Sequence, residues 1–367
     1  MANETILQHT LNRRRFLAGV TAGAAALSLG AVCDPYIVRK LQQSKTALPP
    51  HHTAWLWQFS ADGAAETVAR ELGANRLGVL VKTHDGLDWM ARFDRSGDAI
   101  SGPAQIARIA RIFEGANVPF HAWSNIRAFD PILEARMTAD VLNAGARSLV
   151  IDLEHGQGFW GGTPADAVAF GAELRRLVPF ARVDVSIDVR PWRLNLIPLR
   201  EFVQFCDGIW PQLYWDTFNT PGNIDLYRRH GFASPGGMTP ELLLDSTWSL
   251  LQGYDRPIIP IGQGAAVDPG TWPRFQKRAW ELGMGATSVW RYGVTRPATL
   301  QYLGQNPAGN APQPPRTPTK TAVNTPRPTN TSRPTRTSTP TRTPTSKPTR
   351  TSTPTKTPTN TPTMPSP

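Results

Sequence analysis

The fold class that this sequence predicts is α/β, a closed barrel of eight parallel strands that alternate with helices. Between residues 53 and 303, eight short apolar runs alternate with patterns typical of helices. Many of these helical patterns open with proline, whose missing N–H costs nothing in the first turn of a helix. A (β/α)8 TIM barrel needs about 250 residues, which is the length of this middle section.

The elements follow one another in a regular order. Strands are predicted at residues 54–59, 76–82, 119–123, 148–153, 182–188, 208–214, 258–263 and 287–291. Helices are predicted at residues 64–72, 103–114, 131–144, 164–177, 198–205, 239–252, 271–282 and 297–303. Apolar residues at three- and four-residue spacing, such as Leu133, Met137 and Val141, give the helices an apolar face.

An open, doubly wound sheet is the alternative fold for the same order of elements. That fold carries a glycine-rich phosphate loop after its first strand. Here the first predicted strand is followed by Phe59-Ser60-Ala61-Asp62-Gly63, which does not match the pattern. The sequence therefore favours the barrel.

The N-terminus has the pattern of an export signal. Asn12-Arg13-Arg14-Arg15-Phe16-Leu17 precedes a weakly apolar run of small residues that reaches Val32. The run resembles a twin-arginine signal, in which paired arginines are followed one residue later by Phe-Leu. This resemblance implies a signal peptide at residues 1–33 and export of a folded domain to the cell surface or the medium. Cleavage near Ser28 and Gly30, lipidation at Cys33 and retention as an anchor all remain open.

The C-terminal part, residues 305–367, is rich in threonine, proline, arginine and lysine. It offers almost no apolar side chains to offset the entropy of ordering, so we expect a disordered tail. The Thr-Pro repeats are typical of O-glycosylated stalks. A passive spacer is one interpretation, and attraction of the basic tail to anionic wall polymers or lipid headgroups is the other.

The formal net charge of +11 belongs to the two ends of the chain. Residues 304–367 contain nine Lys or Arg and no acid, and residues 1–32 carry the rest of the excess. The domain predicted at residues 51–304, after a linker at 34–50, is therefore close to neutral. Its charge gives no reason to expect a nucleic acid as partner.

Only two cysteines occur, Cys33 and Cys206. Since Cys33 lies at the end of the predicted signal, a disulfide framework is excluded for the domain. We expect Cys206 to pack as a small buried hydrophobic residue.

The residues that carry chemistry fall at the carboxyl ends of the predicted strands, where barrels have their active sites. Asp152 and Glu154 end the fourth predicted strand, and their two-residue spacing points both side chains to one face. Each carboxyl then changes the ionisation of the other. One can hold a proton while its neighbour stays charged, which is the division that cleavage of a glycosidic bond requires.

The other strand ends supply aromatic rings that can stack on sugars and polar groups that can bind hydroxyls or amides. The substrate-binding candidates are Trp57, Lys82, Asp85, Trp123, Asp188, Gln212, Tyr214, Gln263 and Trp290. A purely structural interpretation is the alternative: the Asp-x-Glu pair would anchor Arg190 or Lys82, and the tryptophans would pack in the core.

Resemblance to known families rests on a few motifs. Ser148-Leu149-Val150-Ile151-Asp152-Leu153-Glu154 is similar to the fourth strand of family 25 lysozymes, and more loosely to the Asp-x-Glu end of family 18 chitinases. Lys82-Thr83-His84-Asp85-Gly86 and Pro211-Gln212-Leu213-Tyr214-Trp215 look like motifs of glycoside-hydrolase-like barrels in secreted bacterial proteins. The resemblance implies Glu154 as general acid and Asp152 as the carboxylate that assists the substrate's acetamido group or the nucleophile.

The same resemblance implies peptidoglycan or another amino-sugar polysaccharide as the partner, and we expect a monomer without a cofactor. Three features depart from the families. The longer Asp-rich signature of chitinases is missing, since Ser148-Leu149-Val150-Ile151 stands where its earlier acids would fall. The first strand ends in Gln58-Phe59-Ser60 where family 25 enzymes carry an aspartate, and Gln263 stands where two-glutamate retaining glycosidases place a nucleophile. A barrel that binds glycan without cutting it is therefore an alternative.

A metal-dependent hydrolase is the third hypothesis. His84, His121 and His155 fall near the ends of the second, third and fourth predicted strands, close to Asp85 or Asp152. No HxH or HExxH spacing accompanies them.

Overall fold

The computed structural model describes residues 51–233, 236–265, 268 and 270–309. The predicted signal, the linker and residues 310–367 of the predicted tail lie outside this part of the chain. Within the described part, no helix is both long enough and apolar enough to cross a membrane.

The strands close into a barrel. They are β1 (Thr53–Leu56), β2 (Gly78–Asp85), β3 (Asp88–Trp89), β4 (Phe120–Asn125), β5 (Ser148–Leu153), β6 (Arg182–Asp188), β7 (Ile209–Leu213), β8 (Ile261–Gln263) and β9 (Ser288–Trp290). Eight of them run in parallel, and β1 pairs with both β2 and β9, so no edge is left between them. The short β3 pairs antiparallel with the end of β2 alone. The predicted (β/α)8 TIM barrel is confirmed, and the open sheet is wrong.

Helices surround the barrel. They are α1 (Phe59–Asp62), α2 (Ala65–Ala74), α3 (Pro103–Gly115), α4 (Pro131–Asn143), α5 (Pro164–Leu177), α6 (Pro191–Leu194), α7 (Leu199–Phe205), α8 (Trp215–Phe218), α9 (Pro221–Arg229), α10 (Pro240–Leu251), α11 (Thr271–Glu281) and α12 (Pro297–Gln305). Four short ones, α1, α6, α8 and α9, were not expected from the sequence. α1, α6 and α8 each follow a strand at its carboxyl end, and α9 follows α8 in the same connection, where the loops shape the mouth of a barrel.

The helix starts follow the sequence signals. Proline occupies the first turn of α3, α4, α5, α10 and α12, as predicted. Asp130 accepts hydrogen bonds from the N–H groups of Ile132 and Leu133, and Thr163 forms a capping box with Asp166 at the start of α5.

One strand is shorter than expected. The predicted run 258–263 pairs as a strand only from Ile261, and Ile258 makes a single bridge to Ile209. Pro260 lies between them and has no N–H to give to a ladder, which explains the late start of β8.

Large aromatic side chains fill the inside of the barrel. Trp55 packs edge-on against Trp123, Trp210 and Trp290, with ring centroids 5.1, 6.2 and 5.6 Å away. A separate layer of apolar side chains, which includes Cys206, packs between the strands and the helices. Cys206 is 2% exposed, as expected, and burial raises the pKa of its thiol. These aromatic side chains fill the centre of the barrel.

Candidate active site

Asp152 and Glu154, here called the carboxyl pair, meet at the mouth of the barrel. Asp152 Oδ2 accepts a hydrogen bond from Asn125 Nδ2 at 2.9 Å, and its Oδ1 accepts one from Gln212 Nε2 at 3.0 Å. The same Gln212 nitrogen lies 2.8 Å from Glu154 Oε1. Strands β4, β5 and β7 therefore bring their polar ends to one point.

The environment of Glu154 favours its protonated form. Burial is the main cause, the negative charges of Asp152 and Asp188 add to it, and together they raise the pKa of Glu154 to about 7. The hydrogen bond from Gln212 and the charge of Arg190 act in the opposite direction. Near neutral pH this carboxyl therefore holds a proton in a large fraction of the molecules.

Asp152 is surrounded by groups that favour its charged form. Burial raises the pKa of Asp152, as expected for a carboxyl that is only 8% exposed. The positive charge of Lys82 and hydrogen bonds from three side chains oppose this rise: Asn125, Ser186 and Gln212. Asp152 has more such donors than Glu154, so the two carboxyls can divide the roles of charged group and proton donor.

A cavity of about 280 Å³ opens beside the carboxyl pair and is called the mouth cavity. Its lining includes the predicted candidates Trp57, Lys82, Trp123, Gln212, Tyr214 and Trp290. It also includes Asn125, a further polar group expected to bind hydroxyls or amides, and four residues that were not predicted to bind substrate: Trp55, Phe159, Ser186 and Ile261. Side chains two residues apart on a strand point to the same side. The positions of Trp57 and Asp188 could therefore have identified Trp55 and Ser186 as lining residues.

The aromatic residues of the mouth cavity differ in their exposure and in their hydrogen bonds. Trp123 is 2% exposed and donates from Nε1 to the carbonyl of Leu56 at 2.9 Å, so it forms a wall. Trp57 and Trp290 are half-buried and leave part of their surface to a ligand. Burial and the neighbouring carboxylates raise the pKa of Tyr214 well above its usual value, so its hydroxyl stays a donor.

Asp85 does not line the cavity, although it was expected to bind substrate. It lies 2.9 Å from Lys82 Nζ and forms a second ion pair with Arg127. Lys82 in turn lies 4.9 Å from the centre of the Trp123 ring. This geometry indicates that Asp85 holds Lys82 in place.

Gln263 also has a role different from the substrate binding that was expected of it. Its Oε1 accepts from the backbone N–H groups of Asp216 and Thr217 at 3.1 Å, and its Nε2 donates to the carbonyl of Ala265 at 2.9 Å. The amide is used to fix the backbone that follows β7. The amide oxygen is fully used in this way, and Nε2 keeps one hydrogen beyond its bond to Ala265.

A second cavity of about 270 Å³, the side cavity, lies between the loops that follow β5 and β6. Its lining includes Leu153, Glu154, His155, Phe159, Asp188, Arg190, Arg193 and Ile197. Asp188, a predicted candidate, belongs to this cavity and accepts hydrogen bonds from Arg190 through both oxygens. Glu154 and Phe159 line both cavities and stand at their border.

Two glycines shape the loop that carries this border. Gly156 and Gly158 have φ angles of 136° and 86°, which side chains rarely allow. The turn they make lets the N–H of Trp160 donate to the carbonyl of Glu154 at 3.0 Å. Phe159 is thereby brought next to the carboxylate.

The interpretation of the carboxyl pair as an ion-pair anchor for Arg190 or Lys82 is wrong. Lys82 forms its ion pair with Asp85, and Arg190 forms its ion pair with Asp188. Among residues 51–309 that the structure describes, no lysine or arginine forms an ion pair with either member of the carboxyl pair. Within these residues, neither carboxyl serves as the anchor of an ion pair.

The three histidines of the metal hypothesis lie apart. His84 is buried and packs edge-on against Trp89, with ring centroids 5.7 Å apart. His121 lies near the other end of the barrel and bonds to Ser148 at 2.7 Å, whereas His155 is exposed in a loop. Across the described ranges, no three His, Cys, Asp or Glu side chains are placed to hold a metal ion together.

Comparison with known proteins gives similar folds but no family. No family model and no curated protein matches the chain. Active domain 2 of a thermostable chitinase from Pyrococcus furiosus is 11% identical, with a TM-score of 0.46 over 71% of this chain and 95% of that one. The PgaB glycoside hydrolase domain from Bordetella bronchiseptica is 12% identical, with a TM-score of 0.43 over 66% and 94%.

ICChI chitinase from Ipomoea carnea is 9% identical, with a TM-score of 0.44 over 69% of this chain and 98% of that one. At these levels of similarity, the function of this chain has to be inferred from its own residues.

Proposed function

We propose that this barrel is a glycoside hydrolase that acts on an amino-sugar polysaccharide, with Glu154 as the acid and Asp152 as the assisting carboxylate. The observation that carries the proposal is the carboxyl pair itself. Both members lie at the mouth, both accept from one amide of Gln212, and neither forms an ion pair among the described residues.

The first step is protonation of the leaving group. Glu154 stands at the border of two cavities, so a glycan chain that fills both places a glycosidic oxygen beside it. Its raised pKa keeps a proton available near neutral pH. The bond between the anomeric carbon and that oxygen breaks as the proton moves to the oxygen, which leaves with the second sugar.

The second step concerns the positive charge left at the anomeric carbon. Asp152 is nearly buried, and each of its oxygens already accepts a hydrogen bond from an amide. No third carboxyl lines the mouth cavity in the described part of the chain. These facts favour attack by the carbonyl oxygen of the substrate's own acetamido group. Asp152 can accept a hydrogen bond from the N–H of that group and so orient it.

This requirement defines the substrate class. Only a sugar with an N-acetyl group at C2 can supply the internal nucleophile, so peptidoglycan and related amino-sugar polymers fit the site and plain glucans do not. Water then opens the resulting ring, and Glu154, now charged, accepts the proton of that water.

The proposal also includes the location of the protein, which is the cell surface. The arginine run at residues 13–15 supports export by the twin-arginine route, and the Thr/Pro-rich tail supports placement at the cell surface. A basic tail attracts anionic wall polymers or lipid headgroups, which would hold a monomeric enzyme near its substrate.

The test uses Glu154→Gln, which keeps the shape of the side chain and removes the acid. Release of reducing ends from peptidoglycan and from chitin oligosaccharides should fall by about 10²–10⁴-fold, while oligosaccharide binding is retained. Glu66→Gln is the control, because Glu66 is an exposed acid on α2. If the wild-type protein binds these glycans but never releases ends, the non-catalytic glycan-binding barrel replaces the enzyme.

A further inference from the structure

The side cavity carries an excess of positive charge when Glu154 is protonated. Arg190 and Arg193 line it, and Asp188 is the only acid there, among the described residues, besides Glu154. When Glu154 holds its proton, as the acid step requires, two cations face one anion. A ligand group that enters the cavity is then favoured if it is negatively charged.

The two arginines differ in how many of their hydrogen-bond donors have a partner. Arg190 binds Asp188 through its side chain and stacks on Phe218, with its guanidinium carbon 4.5 Å from the ring centre. Arg193 lies 3.9 Å from Asp188, too far for a hydrogen bond. Its buried Nε has no hydrogen-bond partner. Burying such a donor is costly unless a ligand satisfies it.

The position of the cavity tells which part of a substrate would reach it. Glu154 and Phe159 separate the side cavity from the mouth cavity. A glycan cut beside Glu154 therefore places the sugar on one side of the bond in the mouth cavity and the neighbouring sugar in the side cavity.

We propose that the side cavity binds a carboxylate on the sugar next to the cleaved bond, and that Arg193 is the residue that recognises it. This inference rests on the proposed function and narrows its substrate to an acidic amino-sugar polymer. A guanidinium matches the two oxygens of a carboxylate better than a neutral hydroxyl. The carboxylate can belong to a lactyl ether on an amino sugar or to a hexuronic acid, and both have the same recognition chemistry.

The experiment measures binding with Glu154→Gln present throughout, so that no ligand is cut. Three tetrasaccharides of equal length serve as probes: neutral tetra-N-acetylglucosamine, alternating N-acetylglucosamine and N-acetylmuramic acid, and alternating N-acetylglucosamine and glucuronic acid. Calorimetry at low salt should give at least one acidic probe an affinity about tenfold above that of the neutral one. The acidic probe that binds more tightly identifies the source of the carboxylate.

Arg193→Gln added to this background should lower the affinity for the acidic probe to that for the neutral one and so remove the preference. Arg92→Gln is the matched control, because Arg92 is an exposed arginine just after β3 and lies outside both cavities. It should keep the preference. Thermal unfolding of each variant shows that the comparison is made on folded protein.

Two results would overturn the inference in different ways. Equal binding of all three probes, or an unchanged preference in Arg193→Gln, refutes the carboxylate site and leaves the glycoside hydrolase proposal standing. Failure of every probe to bind removes the glycan function and the inference together.

Discussion

Asp152 and Glu154 accept hydrogen bonds from the same atom, Nε2 of Gln212, at 3.0 and 2.8 Å. An amide nitrogen carries two hydrogens, so it can serve both carboxylates at once. The two accepting oxygens can then be no more than about 6 Å apart, whereas a pair that works by inversion is separated by roughly 6.5–9.5 Å to admit a water. The shared donor thus fixes the geometry of the pair as well as its charge.

For the proposed hydrolase, this distance predicts retention of anomeric configuration. Attack by the substrate's acetamido group and then by water inverts the anomeric centre twice. Proton NMR during the first minutes of hydrolysis should therefore show the β-anomer as the first product of a β-linked oligosaccharide. An initial α-anomer would mean that water attacks directly and that Asp152 does not have the assisting role.

Asp152→Asn should move the pH profile as well as lower the rate. The negative charge of Asp152 is one of the causes that raise the pKa of Glu154. Without that charge the acid loses its proton at a lower pH. The descending alkaline limb of kcat, which lies near pH 7 if Glu154 is the acid, should shift toward lower pH, and kcat should fall at all pH values. A limb that stays in place would show that another group is the acid.

Gln212→Met should shift the same limb in the opposite direction. The hydrogen bond from Gln212 stabilises the charged form of Glu154, so its loss raises the pKa of that carboxyl further. Activity should then persist to higher pH than in the wild type. Opposite shifts in the two variants cannot result from a general loss of stability, and shifts of the same sign would contradict the assignment of Glu154.

The barrel and the carboxyl pair could be predicted from sequence because both depend on short-range periodicity. The predicted bounds of β5 and β6, 148–153 and 182–188, agree with the structure. The two-residue spacing of Asp152 and Glu154 correctly indicated that they share a face. Such patterns need no knowledge of distant residues.

The parts that could not be predicted depend on which partners are near in space. Gln263 and Asp85 carry the right functional groups, but backbone N–H groups and Arg127 occupy them. The side cavity is built from loops without periodicity, including the glycine turn at residues 156–158 and the short helix α6. Nothing in the local pattern distinguishes Arg193 from the paired arginines on the surface.

His84 makes the fold sensitive to acid. It is fully buried, its Nε2 has no hydrogen-bond partner, and burial lowers its pKa to about 3 from the ordinary value of 6.5. The unfolded chain therefore takes up a proton at this residue before the folded one does. Stability from the neutral histidine is present above pH 6.5 and is lost as the pH falls toward 3, by about 1.4 kcal/mol per pH unit.

His84→Leu should remove this contribution and make the free energy of unfolding less dependent on pH between 4.5 and 6.5. Thr83 loses its bond to the ring but keeps the carbonyl of Trp123 as an acceptor, so the variant should fold. Urea unfolding at several pH values measures the slope. His155→Leu, at an exposed histidine, tests whether the loss of any histidine has the same effect. An unchanged slope in His84→Leu, or an equal change in both variants, would show that acid sensitivity does not come from the buried ring.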